Sequence, residues 1–300
     1  MVTLSEAQVE SKFEELAAKP TLSMRLWEFC RKQPLGAAGA GVVLVMIFMA
    51  VFADYITHFD PEANDLANML TAPDETYILG TDQFGRDAFT RIVYGARTAL
   101  LVGFVSAIAG ATIGLVLGVA SAYFGGRFDL LFQRVMDVVM AFPLIVLALA
   151  VVATLGTGVE NVIIAIIIPF IARCARVVRS NALAIREIPY VDAARALGYS
   201  HTRIILRHMA PNVMAPYLII LTASLGQAIL LEAALSYLGM GVQEPTPSWG
   251  LMLQGGAEEF ATTAPWIAIW PGVAISLAVF GFNLFGDSVR DVLDPKLRSR

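Results

Sequence analysis

Lysine is nearly absent from this 300-residue chain: Lys12, Lys19, Lys32 and Lys296 are the only four, and none follows a glycine. A phosphate-cradling loop ending in Gly-Lys is therefore excluded, and with it that route to binding ATP. Cysteine is almost as scarce. Cys30 and Cys174 fit neither a CxxC redox pair nor a zinc spacing, and both are expected as reduced thiols on the inner side of the topology derived below. The three histidines, His58, His201 and His208, have no cysteine or acid at ligand spacing, so a surface or interface role is expected rather than a metal site. No nucleophile stands with a base. A net charge of -4 offers no basic excess of the kind nucleic acid requires.

What the chain has in excess is apolar surface. At 57% hydrophobic and 15% charged residues, with a mean hydropathy of +0.68, it is too apolar for a protein dissolved in water. A helix needs roughly 20 apolar residues to cross a bilayer core. No charge occurs between Lys32 and Asp54, Arg97 and Arg127, Asp137 and Glu160, Arg207 and Glu232, or Glu259 and Asp287. Those are five spans. A sixth and weakest is expected from Val159 to Val178, where the apolar stretch Asn161 to Ala172 continues past Arg173 and Arg176 at its exposed inner end. The fold expected is an all-α integral membrane bundle of six spans.

Lysine and arginine placement orients the bundle, because inner loops retain them. With the N-terminus inside, the N-terminal tail holds five of the 21, Arg127 and Arg134 flank a short inner turn, the segment Arg173 to Arg207 holds seven and the C-terminal tail four. Only Arg86, Arg91 and Arg97 lie outside, so both termini are expected in the cytoplasm. The first span resembles a signal peptide in having Val51 and Ala53 at its end, but its charged leader is long and its apolar run is close to a full span, so retention as an anchor is expected. In the leader, Ser5 with Gln8 forms a candidate capping box, and Leu22, Leu26 and Phe29 form a stripe suited to the membrane surface. A partly ordered tail is the other reading.

Inside the spans, Gly110, Gly114 and Gly118 recur every four residues, which allows close backbone packing. Pro143 and Pro169 should bend the third and fourth spans. Asp137, three residues from Arg134, is expected in an ion pair at the inner surface.

The inner segment Arg173 to Pro211, with its loop at 180–211, is too polar to insert and too rich in Ala, Leu, Arg and Ile to be a slack linker. It should be helical, with Gly198 allowing a tight change of direction and Pro211 resetting it. It contains Asp192-Ala193-Ala194, three residues, Gly198, nine residues, then His208-Met209-Ala210-Pro211. This resembles the EAA loop of importer permeases of the ATP-binding cassette (ABC) class, with Asp192 for the usual Glu, and His208 and Ala210 where Ile and Leu would stand. Three further runs are similar to the second permease of dipeptide and oligopeptide importers: LGTDQFGRDAFTRIVYGARTALLVG (Leu79 to Gly103), LSYLGMGVQEPTPSWG (Leu235 to Gly250) and FNLFGDSVRDVLDPKLR (Phe282 to Arg298). The likeness spans about Leu26 to Arg298.

The resemblance implies a type I ABC importer permease of the inner membrane, with six transmembrane helices and cytoplasmic coupling helices, itself non-catalytic. Its implied partners are a second homologous permease, two cytoplasmic ATPases that bind the ATP and Mg, a periplasmic peptide-binding protein, and membrane lipid. The layout expected is a tail and interfacial helix at 1–34, a first span at 35–53, a periplasmic segment at 54–97, a core with five spans at 98–287 and an inner tail at 288–300. Asp192, Ala193, Ala194, Gly198, His208 and Pro211 would dock an ATPase, and the arginines around them suit an acidic rim or simply enforce topology. Ser224, Gln227 and Glu232 either line a path able to bind peptide amides or hydrogen-bond between helices. The outer stretch Gly239 to Pro265 carries Glu244, Glu258 and Glu259 without Lys or Arg, and Pro245-Thr246-Pro247 stiffens it against Trp249. It either receives the binding protein, through Glu244, Pro245, Pro247 and Trp249, or forms a plug packed between helices. A stand-alone secondary transporter or channel would show inverted repeats or a relay of buried ionisable groups, and neither is present.

Overall fold

Hydrocarbon offers no water to a backbone amide, so each uncharged run must satisfy its own amides as a helix. The computed structural model describes residues 22–257, 259–260 and 262–293, and its regular elements are helical, with one isolated β-bridge between Thr81 and Asp87. The elements are α1 Leu22–Lys32, α2 Pro34–Ile56, α3 Ala88–Phe124, α4 Gly126–Met140, α5 Leu144–Leu155, α6 Val159–Arg186, α7 Pro189–Ala196, α8 His201–Ile204, α9 Met214–Tyr237, α10 Trp249–Ala257 and α11 Trp266–Leu293. The candidate capping box at Ser5 and Gln8, the residue Glu258 and most of the tail 288–300 lie outside the described residues. The stripe residue Phe29 is half-buried on α1.

Five helices are long and apolar enough to cross a membrane, and the bent pair α4 and α5, counted as one broken span, makes six. Here the order of strength differs from the sequence expectation. The fourth crossing is an unbroken 28-residue helix, α6, whereas the third is broken, its apolar part α5 having only 12 residues, about 18 Å at 1.5 Å per residue. Pro143 explains this. It has no N–H for the ladder and disfavours helix in the residue before it, so α4 stops at Met140 and the chain restarts at Leu144, turned by 93°. Arg127 and Arg134, expected beside a short turn, instead sit on α4, an amphipathic helix. Pro169 stays inside α6 without ending it. The end segments are also longer than expected, with α2 running to Ile56 and α11 to Leu293.

Glycines set the helix distances. A Cβ on Gly114 would lie 2.7 Å from Cys174 Cβ, and one on Gly118 would lie 2.6 Å from Ala175 O, so α3 and α6 touch backbone to backbone. Gly39 does the same for α2 on α11, where a Cβ would meet Gly281 O at 2.6 Å. The short α10 is wedged against α9 and α11, with Gly250 on the Ala233 backbone and Gly256 on Ile267. Both cysteines are free, Cys30 exposed and Cys174 buried with its thiol on Ala111 O.

The arginine-poor end of the bundle, formed by 57–87 and 238–265, is the one that the charge rule expects outside, the outer end for short. Arg86 there and Arg91 and Arg97 on the adjoining start of α3 are all matched to carboxylates: Arg86 to Asp82 and Glu244, Arg91 to the same two, and Arg97 to Asp54.

Candidate functional site

At the inner end, the segment between α6 and α9 folds into a helical knob. Proline at the first turn of α7 sacrifices no hydrogen bond. Gly198 ends the helix at φ +75, closed by Gly198 N–H to Arg195 O (2.9 Å) and Tyr199 N–H to Ala194 O (3.2 Å). No described residue lies within 4 Å of where its Cβ would be, so the glycine serves backbone conformation and not packing. Ser200 caps α8 by accepting from Arg203 N–H at 3.3 Å. Pro211 removes an amide from the ladder, and a π turn (Ile205–Met209) and a 3-10 turn (Ala210–Val213) absorb the gap before α9.

The six residues expected to dock an ATPase divide by orientation. Asp192 and Ala193 face outward, with Asp192 paired to Arg195 at 2.9 Å, and Gly198 and Pro211 are also exposed. Ala194 is buried in the knob's own core with Val191, Ile204 and Met209. His208 is an internal brace. Its ring stacks on Tyr199, with centroids 5.8 Å apart, and its carbonyl accepts from Tyr190 O–H (2.9 Å) and Asn212 Nδ2 (2.7 Å). Ala194 is thus closed to a partner by its own packing, while His208 is half-buried with its ring against Tyr199. The knob also exposes groups that the motif does not mark: Leu197 at 73% and Leu206 at 62%. The readable signal for Leu197 was an apolar side chain directly before a helix-ending glycine in a polar loop. The knob grips the inner end of α3 through Tyr123, whose O–H meets His201 Nδ1 at 2.7 Å and whose ring lies under Arg195.

At the outer end, Glu244 and Pro245 reach the surface, joined by a cis peptide, but Pro247 and Trp249 do not. Pro247 O accepts from Thr98 O–H at 2.8 Å, and the Trp249 indole N–H donates to Ile92 O at 2.9 Å with its ring against Gly95, the position where a Cβ would be 2.6 Å away. Both are therefore packing groups that fasten the loop to α3. Glu244 accepts from both terminal nitrogens of Arg86, at 2.5 and 3.0 Å, while Arg86 Nε donates to Asp82 at 2.7 Å. Arg91 donates to Pro61 O at 2.8 Å and lies 3.5 Å from Glu244. Partial burial pushes the Glu244 carboxyl up, but the Arg86 hydrogen bonds and the Arg91 charge outweigh it and hold the group below the ordinary glutamate value. This clamp is fully formed above the usual carboxylate range and is lost only as pH falls through the depressed value. Asp82, Arg86 and Arg91 were not legible as partners of Glu244 because some 150 residues separate them.

Arg86→Ala should cost about 3 kcal/mol, because Asp82, only 6% exposed, would keep the backbone N–H groups of Phe84 and residue 86 on Oδ1 but have only Arg91 Nε at 3.7 Å for Oδ2, while the 40% exposed Glu244 end contributes little. The check is the melting temperature of the detergent-solubilised protein. An unchanged value would show that the cluster does not stabilise the outer end.

Within the spans, Glu232 is 1% exposed and accepts from Ser236 Oγ (2.9 Å) and Ser248 Oγ (2.7 Å), which ties α9 to the start of α10. Ser224 is buried and donates to Ile220 O of its own helix. Neither opens to a path in this conformation. Gln227 alone of the three reaches the surface, where its Oε1 accepts from Arg173 at 2.5 Å. Asp137 is paired more closely with Arg176 of α6 than with Arg134, 3.8 Å away. Among the described residues, no group of His, Cys, Asp and Glu is placed to hold a metal ion.

Comparisons with known proteins converge. Residues 110–299 match the family model described as binding-protein-dependent transport system inner membrane component, and residues 21–73 match the N-terminal TM domain of oligopeptide transport permease C. The chain is 45% identical over 260 residues to a putative peptide transport system permease protein of Brucella suis, covering 87% of each chain. It is 42% identical to the dipeptide transport system permease protein of Alkalihalophilus pseudofirmus (90% of this chain, 88% of that one). It is 41% identical to a glutathione transport system permease protein of Escherichia coli O6:K15:H31 (91% and 90%). In fold it is similar to a chain of the inward-facing MetNI methionine ABC transporter, with a TM-score of 0.55, 19% identity, and coverage of 69% of this chain and 97% of that one.

Proposed function

The chain belongs to the family of binding-protein-dependent transport system inner membrane components, the permeases of ABC importers, and we propose that it forms, with a second homologous permease, the path by which peptides enter the cell. Both termini face the cytoplasm in this reading, and the outer end receives a periplasmic peptide-binding protein at Glu244 and Pro245. ATP and Mg are bound by two separate ATPase subunits, since this chain has no phosphate loop.

The observation that carries the reading is the inner knob. It is a rigid, capped projection with Asp192, Ala193 and Leu197 on its outer side, and it is braced to α3 through Tyr123. A closure of the ATPases against Leu197 would move the knob, and the glycine-packed pair α3 and α6 would follow as a unit because such interfaces shift rather than deform.

The test is reconstitution in liposomes. The complete complex should accumulate labelled tri-alanine only with ATP and a peptide-loaded binding protein. Uptake by this chain alone, indifferent to ATP, would overturn the reading in favour of a stand-alone transporter.

A further inference from the structure

Three arginines follow one another along α6 at Arg173, Arg176 and Arg179. The inner two are neutralised by the aspartates of α4, Arg176 by Asp137 and Arg179 by Asp129 at 2.5 Å. Arg173 is exposed and forms no salt bridge among the described residues, and its one hydrogen-bond partner is the neutral Gln227.

Its depth makes this informative. The outer ends of α6 and α9 are level, because Gly158 N–H bonds Gly241 O at 3.1 Å. From there Arg173 lies 14 residues down α6, about 21 Å, and Gln227 lies 10 residues down α9, about 15 Å, at 1.5 Å per residue. Side chains tilt toward a helix N-terminus, which for α6 is the outer end, and the Gln227 bond holds the guanidinium at that level. On that scale the charge lies about 15 to 21 Å below the outer helix ends, within a core roughly 30 Å thick, and its bond to Gln227 turns it away from the inner surface, where Arg173 was expected from the charge pattern. An unpaired guanidinium at that depth does not face lipid; it faces water or a partner. Only one of its five N–H donors is occupied by Gln227.

We propose that Arg173, positioned by Gln227, lines the translocation path and binds the carboxylate of a passing peptide. The fork of remaining donors matches a carboxylate, and Gln227 holds it toward the middle of the path without neutralising it. The peptide as cargo is taken from the proposed function above.

Two measurements on the complete reconstituted complex decide this. The first places Arg173→Cys in a background with Cys30→Ser and Cys174→Ala and applies an anionic, water-soluble methanethiosulfonate reagent to either face. Modification is expected, and an unreactive thiol would overturn the proposal by placing the position against lipid or protein. The second compares tri-alanine uptake. Arg173→Gln should assemble with its partners and lose more than about tenfold in uptake, the scale of a charged hydrogen bond, and Arg173→Lys, which keeps the charge, should lose less. Unchanged uptake by Arg173→Gln would overturn the proposal, as would equal loss by both variants. Failure of Arg173→Gln to assemble would overturn it too, since the arginine would then be a bond to the second permease. If the wild-type complex moves no tri-alanine with ATP, the peptide reading falls instead, and the thiol reaction still decides whether Arg173 meets water.

Discussion

Gly118→Leu is expected to abolish the folded protein. A Cβ at that position would lie 2.6 Å from Ala175 O and 3.2 Å from Arg179 N, both backbone atoms of α6 that cannot swing aside. Overpacking by single methylenes costs about 1–3 kcal/mol in a well-packed core, and leucine adds a whole side chain against backbone. The shift would also pull Arg179 from Asp129, so α4 would lose one of its two ion pairs to α6. The matched control is Gly41→Leu on α2, where no described residue lies within 4 Å of the added Cβ. Yield and melting temperature of purified protein should collapse for the first and stay near wild type for the second. Equal behaviour of the two would mean that α3 and α6 are not in backbone contact.

Leu197→Asp should leave the isolated chain as stable as before and remove its transport. The side chain is 73% exposed, so nothing inside the subunit depends on it. Its worth lies in what it would dock into. An apolar anchor at the centre of an interface contributes about 2–4 kcal/mol, and an aspartate there adds an unpaired charge to be desolvated, so ATPase co-purification and ATP-driven uptake should fall at least ~30-fold. Gly198→Ala probes the same loop through the backbone, since at φ +75 a Cβ costs roughly 1–2 kcal/mol of strain without a clash. It should weaken coupling by less than Leu197→Asp. Normal ATP-driven uptake by the Leu197→Asp variant would show that the knob is not the coupling element.

These two positions also show what could be read from the chain alone. The four-residue spacing of Gly110, Gly114 and Gly118 announces a close helix contact, but not that α6 supplies the other surface. The loop motif announces Asp192 and Gly198, but it also marks Ala194 and His208, which the knob consumes in its own packing. Trp249 looked like a candidate for a partner because it follows the stiff Pro245-Thr246-Pro247 in an acidic outer stretch, and Glu232 for a path because an acid in a span is costly. Both found partners inside the fold, Ile92 O for the indole and two serines for the carboxylate. Arg173 went the other way: counted among the inner-loop charges, it lies within α6, a helix longer than its apolar run, and reaches Gln227 of α9.

Hydrophobicity, charge placement and helical spacing are properties of neighbouring residues, so the sequence by itself determined a membrane bundle, its spans, the asymmetry of its two ends and the family it resembles. Whether a polar side chain is spent inside the fold or left open is settled by a group arriving from elsewhere in the chain, 16 residues away for Ser248 on Glu232 and 158 for Glu244 on Arg86. Only the tertiary structure brings those groups together, and so it alone decided which of the many polar candidates, Leu197's neighbours at the knob and Arg173 with Gln227 in the spans, remain free to act.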